Sequence, residues 1–143
     1  MTPVRFAVPL LLVGMMVPVA HGQTSTAEEA PRDTIVTRVA TAFTDGDAQR
    51  LLTPAADRVE VSLFGTRTFY SSAQAFYVLE DFFDTHPPTG FEVDDVTETG
   101  ESCFLRGQLD HRRDERTLQV YVRLMRRDAA WQLQEIRIDA DAE

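Results

Sequence analysis

Three histidines, one cysteine and a set of carboxylates are the first places to look in this 143-residue chain for proton transfer, nucleophilic attack or metal binding. General acid–base chemistry needs a His, Asp or Glu whose surroundings tune its pKa to the operating pH. His86 stands at the end of a helical stretch, where a partial positive charge would complement the helix dipole, a structural reason for its presence. His111 falls in Asp110-His111-Arg112-Arg113-Asp114-Glu115-Arg116, a charged turn expected to be solvated. Neither histidine is expected to be catalytic. Glu135 is the most interesting acid: it shares the alternation phase of Trp131 and Leu133 and would point inward with them, or outward if a bulge precedes it. Asp94 and Asp95 read as guards of an edge strand, where charge discourages pairing with foreign sheets.

Other chemistries find less support. Cys103 shares its phase with Leu105 and Leu109 and is expected to be buried as a small hydrophobe. No C-x-x-C or H-x-x-x-H spacing occurs, so no metal and no cofactor are expected. There is no glycine-rich phosphate loop, no serine nucleophile elbow and no basic aromatic stripe. The formal net charge is −9, and phosphate backbones would be repelled overall, which argues against a nucleic-acid partner. Every basic residue other than histidine is Arg, and with no Asn in the chain N-linked glycosylation is excluded. Arg106, Arg112, Arg113, Arg123, Arg126 and Arg127 crowd the last third, but acids interrupt them, which predicts a solvated ion-pair face.

The N-terminus follows a different plan. Arg5 precedes an apolar run from Phe6 to Ala20, and Ala20-His21-Gly22 offers small residues at the positions a signal peptidase prefers. Residues 1–22 are therefore expected to be a signal peptide that takes His21 with it. The run is shorter than the ~20 residues of a spanning helix, and Pro9, Gly14 and Pro18 interrupt it. No cysteine follows it for lipid attachment. The expected product is an exported protein, periplasmic or secreted, without stable membrane insertion after cleavage. Residues 23–31 are small, polar and acidic and read as a flexible linker, leaving one domain over 32–140.

Within that domain Ile35, Val36, Val39, Ala40 and Phe43 recur at helical spacing, and Asp47 can cap a second short helix through Leu51 and Leu52. Val59, Val61 and Leu63 alternate with polar residues, and Gly65 offers a turn into Thr68-Phe69-Tyr70. Ser71-Ser72-Ala73-Gln74 is a capping-box arrangement opening a helix with Ala75, Val78, Leu79, Phe82 and Phe83 on one face. His86-Pro87-Pro88 stops it. Four strands follow, over 90–97, 101–109, 116–125 and 130–139. In the last, Trp131 and Leu133 lie out of phase with Ile136 and Ile138, which predicts a bulge near Gln134-Glu135. The expected fold is α+β, a curved and mainly antiparallel sheet with three helices on its concave face.

This succession resembles the cone-shaped nuclear transport factor 2-like superfamily. Gly46-Asp47-Ala48, the Val59–Leu63 strand, Tyr70-Ser71 with Gln74-Ala75, Phe82-Phe83 and Val120-Tyr121-Val122 are similar, in their order, to domain of unknown function 4783, an exported bacterial family. The resemblance implies a cone-shaped, cystatin-like sheet but no particular activity, because the superfamily holds isomerases, dehydratases, cyclases and plain binding domains. The expected role is a non-catalytic domain that binds a small-molecule ligand, forms a homodimer, or both. The alternative is a small-molecule lyase or isomerase working inside the cone, and an unpaired Glu135 in an open pocket would favour it. Tyr70, Trp131 and Glu135 are the candidate ligand contacts. The outer sheet face carries Phe104, Arg106, Tyr121, Arg123 and Met125, aromatic anchors among Arg and amide groups, as a homodimer interface would.

Overall fold

The computed structural model describes residues 32–141, so the signal peptide and linker expected over 1–31 lie outside the described residues. Helix α1 (Arg32–Asp45) buries Ile35, Val39, Ala42 and Phe43, its predicted apolar stripe. It ends at Gly46, whose φ of +62° is the left-handed geometry that glycine adopts without strain. The Asp47 side chain accepts a hydrogen bond from the Arg50 N–H and so starts the short α2 (Ala48–Leu52). In α3 (Ser72–Thr85) both halves of the predicted capping box are formed: Gln74 N–H donates to Ser71 Oγ, and Ser71 N–H donates to Gln74 Oε1.

The six strands are β1 (Ala55–Leu63), β2 (Thr66–Ser71), β3 (Pro88–Thr99), β4 (Ser102–His111), β5 (Asp114–Arg127) and β6 (Ala130–Ala140). They form one sheet in the order β2-β1-β6-β5-β4-β3, antiparallel except for the parallel pair β1–β6. Strand β3 starts two residues earlier than expected, at Pro88, which an edge strand tolerates because its free edge needs no N–H donor. The register shifts between Val93 and Asp95, a bulge that places the Asp94-Asp95 pair where edge protection is needed.

One phase of the ladder joins Val61, Ile136, Val122 and Leu105 across four strands, and the helices cover this inner face. Phe43, Leu79, Leu105, Leu124, Leu133 and Ile136 are fully enclosed there. Each such side chain contributes roughly 1.5–3 kcal/mol of apolar burial. Phe91 stacks on Phe43 at 4.9 Å and lies against Gly107, where a Cβ would meet the ring at 2.5 Å. Gly107 is therefore the seat that lets β3 fold its aromatic ring into the core.

Candidate functional site

The inner phase of β4 runs Cys103, Leu105, Gly107, Leu109 and then His111, so the strand that builds the core also delivers an imidazole to its end. His111 is 8% exposed, and its Nδ1 is buried without a hydrogen-bond partner. The charged residues of the turn, Asp110 and 112–116, are exposed as expected, but His111 among them is buried, beside the bond from Arg112 N–H to the Pro87 carbonyl at 3.0 Å. That bond ties the β4–β5 turn to the end of α3 and sets the His111 ring edge-on to His86, with centroids 5.2 Å apart.

His86 is fixed from its own side. Its ring stacks on Phe82 at 4.8 Å, and Nδ1 lies 3.3 Å from the Phe82 carbonyl, which assigns the proton to Nδ1 and leaves Nε2 as the acceptor of the neutral ring. Burial pushes the His86 pKa below its ordinary value; the Phe82 carbonyl opposes this, and the charges of His111 and Arg113 add to it. The expected cationic partner of the helix dipole is thus a neutral ring held by stacking, because desolvation outweighs the helix terminus.

Between these rings and the last residues of the sheet lies a cleft of about 290 Å³. His86, His111 and Arg113 line one part, and Phe64, Leu118 and Ala140 supply apolar surface. Arg113 makes no ion pair among the described residues. Phe64 is 49% exposed and has φ of +50°, an unfavourable region for a bulky side chain. It is held there by its N–H bond to the Ile138 carbonyl at 2.9 Å and by contact with the His86 ring. A second, more polar recess of about 490 Å³ adjoins the same turn along Thr89, Asp110 and Arg112.

The three residues expected to touch a ligand are not gathered in this cleft. Register passes from Arg123↔Glu135 to Leu124↔Leu133, so Gln134 is the extra residue of the predicted bulge. The bulge precedes Glu135 and turns it to the outer face, away from Trp131. There Glu135 accepts from Arg123 Nε at 3.3 Å and from Arg137 at 2.9 Å, and is 7% exposed. Trp131 is buried at the far end of β6 under the Arg126 guanidinium, 4.7 Å from the ring centre. Tyr70 is half-buried on β2 opposite Val59.

The outer-face residues do form one patch. Phe104 stacks on Tyr121 at 6.1 Å, the Arg137 guanidinium lies 5.3 Å over the Tyr121 ring, and Arg106 pairs with Asp95 at 3.4 Å. Met125, on the same phase, pairs with Gln132 and Ser102. Burial raises the Tyr121 pKa, with Glu135 adding to it and the two arginines opposing.

The family model of the domain of unknown function DUF4783 matches residues 36–139, nearly the whole described domain. The chain belongs to this family. Among solved DUF4783 structures, that of a Bacteroides ovatus protein is 27% identical with a TM-score of 0.71, covering 80% of this chain and 98% of its own. A Bacteroides uniformis member is 24% identical with a TM-score of 0.69, covering 75% of this chain and 97% of its own. An NTF2-like protein of unknown function from Silicibacter pomeroyi is 15% identical, with a TM-score of 0.57 over 76% of this chain and 92% of its own, a likeness of fold alone. No curated protein matches the chain in sequence.

In this DUF4783 chain the residues that sequence reasoning missed are His111, His86, Arg113 and Phe64. A signal for His111 was present: it continues the every-second-residue phase of Leu105 and Leu109, but its charged neighbours outweighed it. Among the described residues, no group of three or more His, Cys, Asp or Glu is arranged to hold a metal ion. No helix among them is long and apolar enough to cross a membrane.

Proposed function

We propose that this protein is an exported, non-catalytic binding domain that takes a small ligand in the cleft between the end of α3, the β1–β2 turn and the β4–β5 turn. The observation that carries this reading is the cleft of about 290 Å³ itself, which sets Arg113 and two imidazole rings on one side against apolar surface from Phe64, Leu118 and Ala140 on the other. The alternative of acid–base chemistry inside the cone draws less support, since apolar side chains fill the concave side and Glu135 is paired on the opposite face.

Amide chemical-shift mapping with a library of small fragments tests the reading, alongside mass spectrometry for a co-purified molecule. The expected result is perturbation at His86, His111, Leu118 and Ala140 with none at Trp131. A library that leaves the cleft amides unmoved sinks it. A second reading, self-association through the outer face, is favoured by the Phe104–Tyr121 stack, which no helix among the described residues covers.

A further inference from the structure

We infer that the ligand of this cleft is a small organic carboxylate with an apolar body, its carboxylate between Arg113 and His111 and its body against Phe64 and Leu118. The inference rests on the binding reading above and adds the chemical class. The cleft is divided in a way that a wholly polar or wholly apolar molecule would not match. Its polar wall offers the Arg113 guanidinium, which makes no ion pair among the described residues, beside the His111 ring. A guanidinium presents two parallel N–H groups, a geometry that fits the two oxygens of a carboxylate.

Charge decides between a carboxylate and a phosphate. Asp114 lines the cleft beside Arg113 and Arg116, and Asp110 and Glu115 line the adjoining recess. Against these acids the local field can compensate one negative charge far better than two. The chain as a whole is strongly acidic, so the anion is drawn only by this local arginine cluster. The apolar part of the ligand has a prepared surface: Phe64 and Gly65 take the positive φ of the two-residue β1–β2 turn, which holds the Phe64 ring half-exposed at the cleft.

His86, whose ring stands against His111 at the cleft wall, makes binding depend on pH. From α3 the cleft receives His86, from β4 His111, from the turn Arg113 and Asp114, and from β5 Arg116; Phe64, Leu118 and Ala140 carry no charge. In the free protein burial and the neighbouring positive charges oppose protonation of His86. A bound carboxylate offsets that opposition, so binding takes up protons and tightens as pH falls from 8 to 6.

Isothermal titration of the purified protein with phenylacetate, phenylacetamide and inorganic phosphate tests this, with the fragment mapping above as the reference for the cleft itself. Phenylacetate is expected to bind at least about tenfold more tightly than phenylacetamide at pH 6, and to lose about that factor in Arg113→Gln, the usual scale of one charge-assisted contact. Arg113→Lys keeps the charge and should recover part of it, and His86→Gln should weaken the pH dependence. Equal binding of phenylacetamide, tighter binding of phosphate, or an unchanged Arg113→Gln variant overturns the carboxylate while leaving fragment shifts in the cleft intact. Absence of any fragment shift overturns the binding reading with it.

Discussion

The outer face of the sheet and the cleft at the end of α3 hold similar residue types, arginines beside a buried titratable group, and treat them in opposite ways. On the outer face Glu135 is enclosed but receives hydrogen bonds from Arg123 and Arg137. In the cleft His111 is enclosed to the same degree, yet its Nδ1 has no partner and Arg113 makes no ion pair among the described residues. Buried polar groups that satisfy each other belong to the fold, whereas one left unsatisfied asks what else completes it. By that criterion the more conspicuous charge cluster is structural, and the quieter one is where the proposed site lies.

Stability measurements break or sharpen this contrast. The largest effect is expected for Glu135→Ala, which leaves two partly enclosed guanidinium groups facing each other across a pairing they share, at a cost of about 1–3 kcal/mol in a urea melt. His111→Leu removes an unpartnered polar atom and replaces it by an apolar group, so it should be neutral or stabilising by up to about 1 kcal/mol. Equal losses in both variants would mean that His111 has a structural partner and that the two regions do not differ.

Next in size is a pH effect confined to the cleft. The His86 pKa is lower in the folded chain than unfolded, so the unfolded state binds more protons as pH falls past about 6.5. Stability contributed by the neutral ring is complete above that pH and is lost as pH descends through the folded pKa. The slope can reach at most one proton's worth, about 1.4 kcal/mol per pH unit. Thermal melts between pH 7 and 5.5, above the ordinary carboxylate range, should show this decline, and His86→Gln should flatten it. A variant with the parent's slope would assign the titration to another group.

What the sequence made legible divides along the range of the interactions. The capping box at Ser71 and Gln74, the cap at Asp47 and the stop at His86-Pro87-Pro88 are local, and each was read from neighbouring residues. The β6 bulge was legible because Leu133 and Ile136 cannot share a face without an extra residue between them. The parallel pairing of β1 with β6 left no such mark, since it joins segments far apart in the chain. The cleft was hidden for the same reason: His86 and His111 meet because the β3–β4 ladder pairs Pro88 with His111 and Arg112 bonds to Pro87. Within the turn sequence alone, six charged neighbours made a buried histidine look exposed.

The smallest expected effect tests the outer face from its rim. Arg106 and Asp95 lie 3.4 Å apart with side chains 64% and 49% exposed, so water and salt screen their attraction, and holding two long chains together offsets part of what remains. Arg106→Ala should therefore change stability by less than about 0.5 kcal/mol, and the change should vanish in high salt. This sets Arg106 apart from Glu135, which water reaches far less. It also separates a solvent-facing sheet from a homodimer interface. If the patch around Tyr121 self-associates, the parent's melting temperature rises with protein concentration, and Arg106→Glu, which adds a charge beside Asp95, lowers that dependence. Melting temperatures that are constant from micromolar to high micromolar protein, for parent and variant alike, would leave the arginines as the only cover of the Phe104–Tyr121 stack, with their stems over the rings as Arg137 already is.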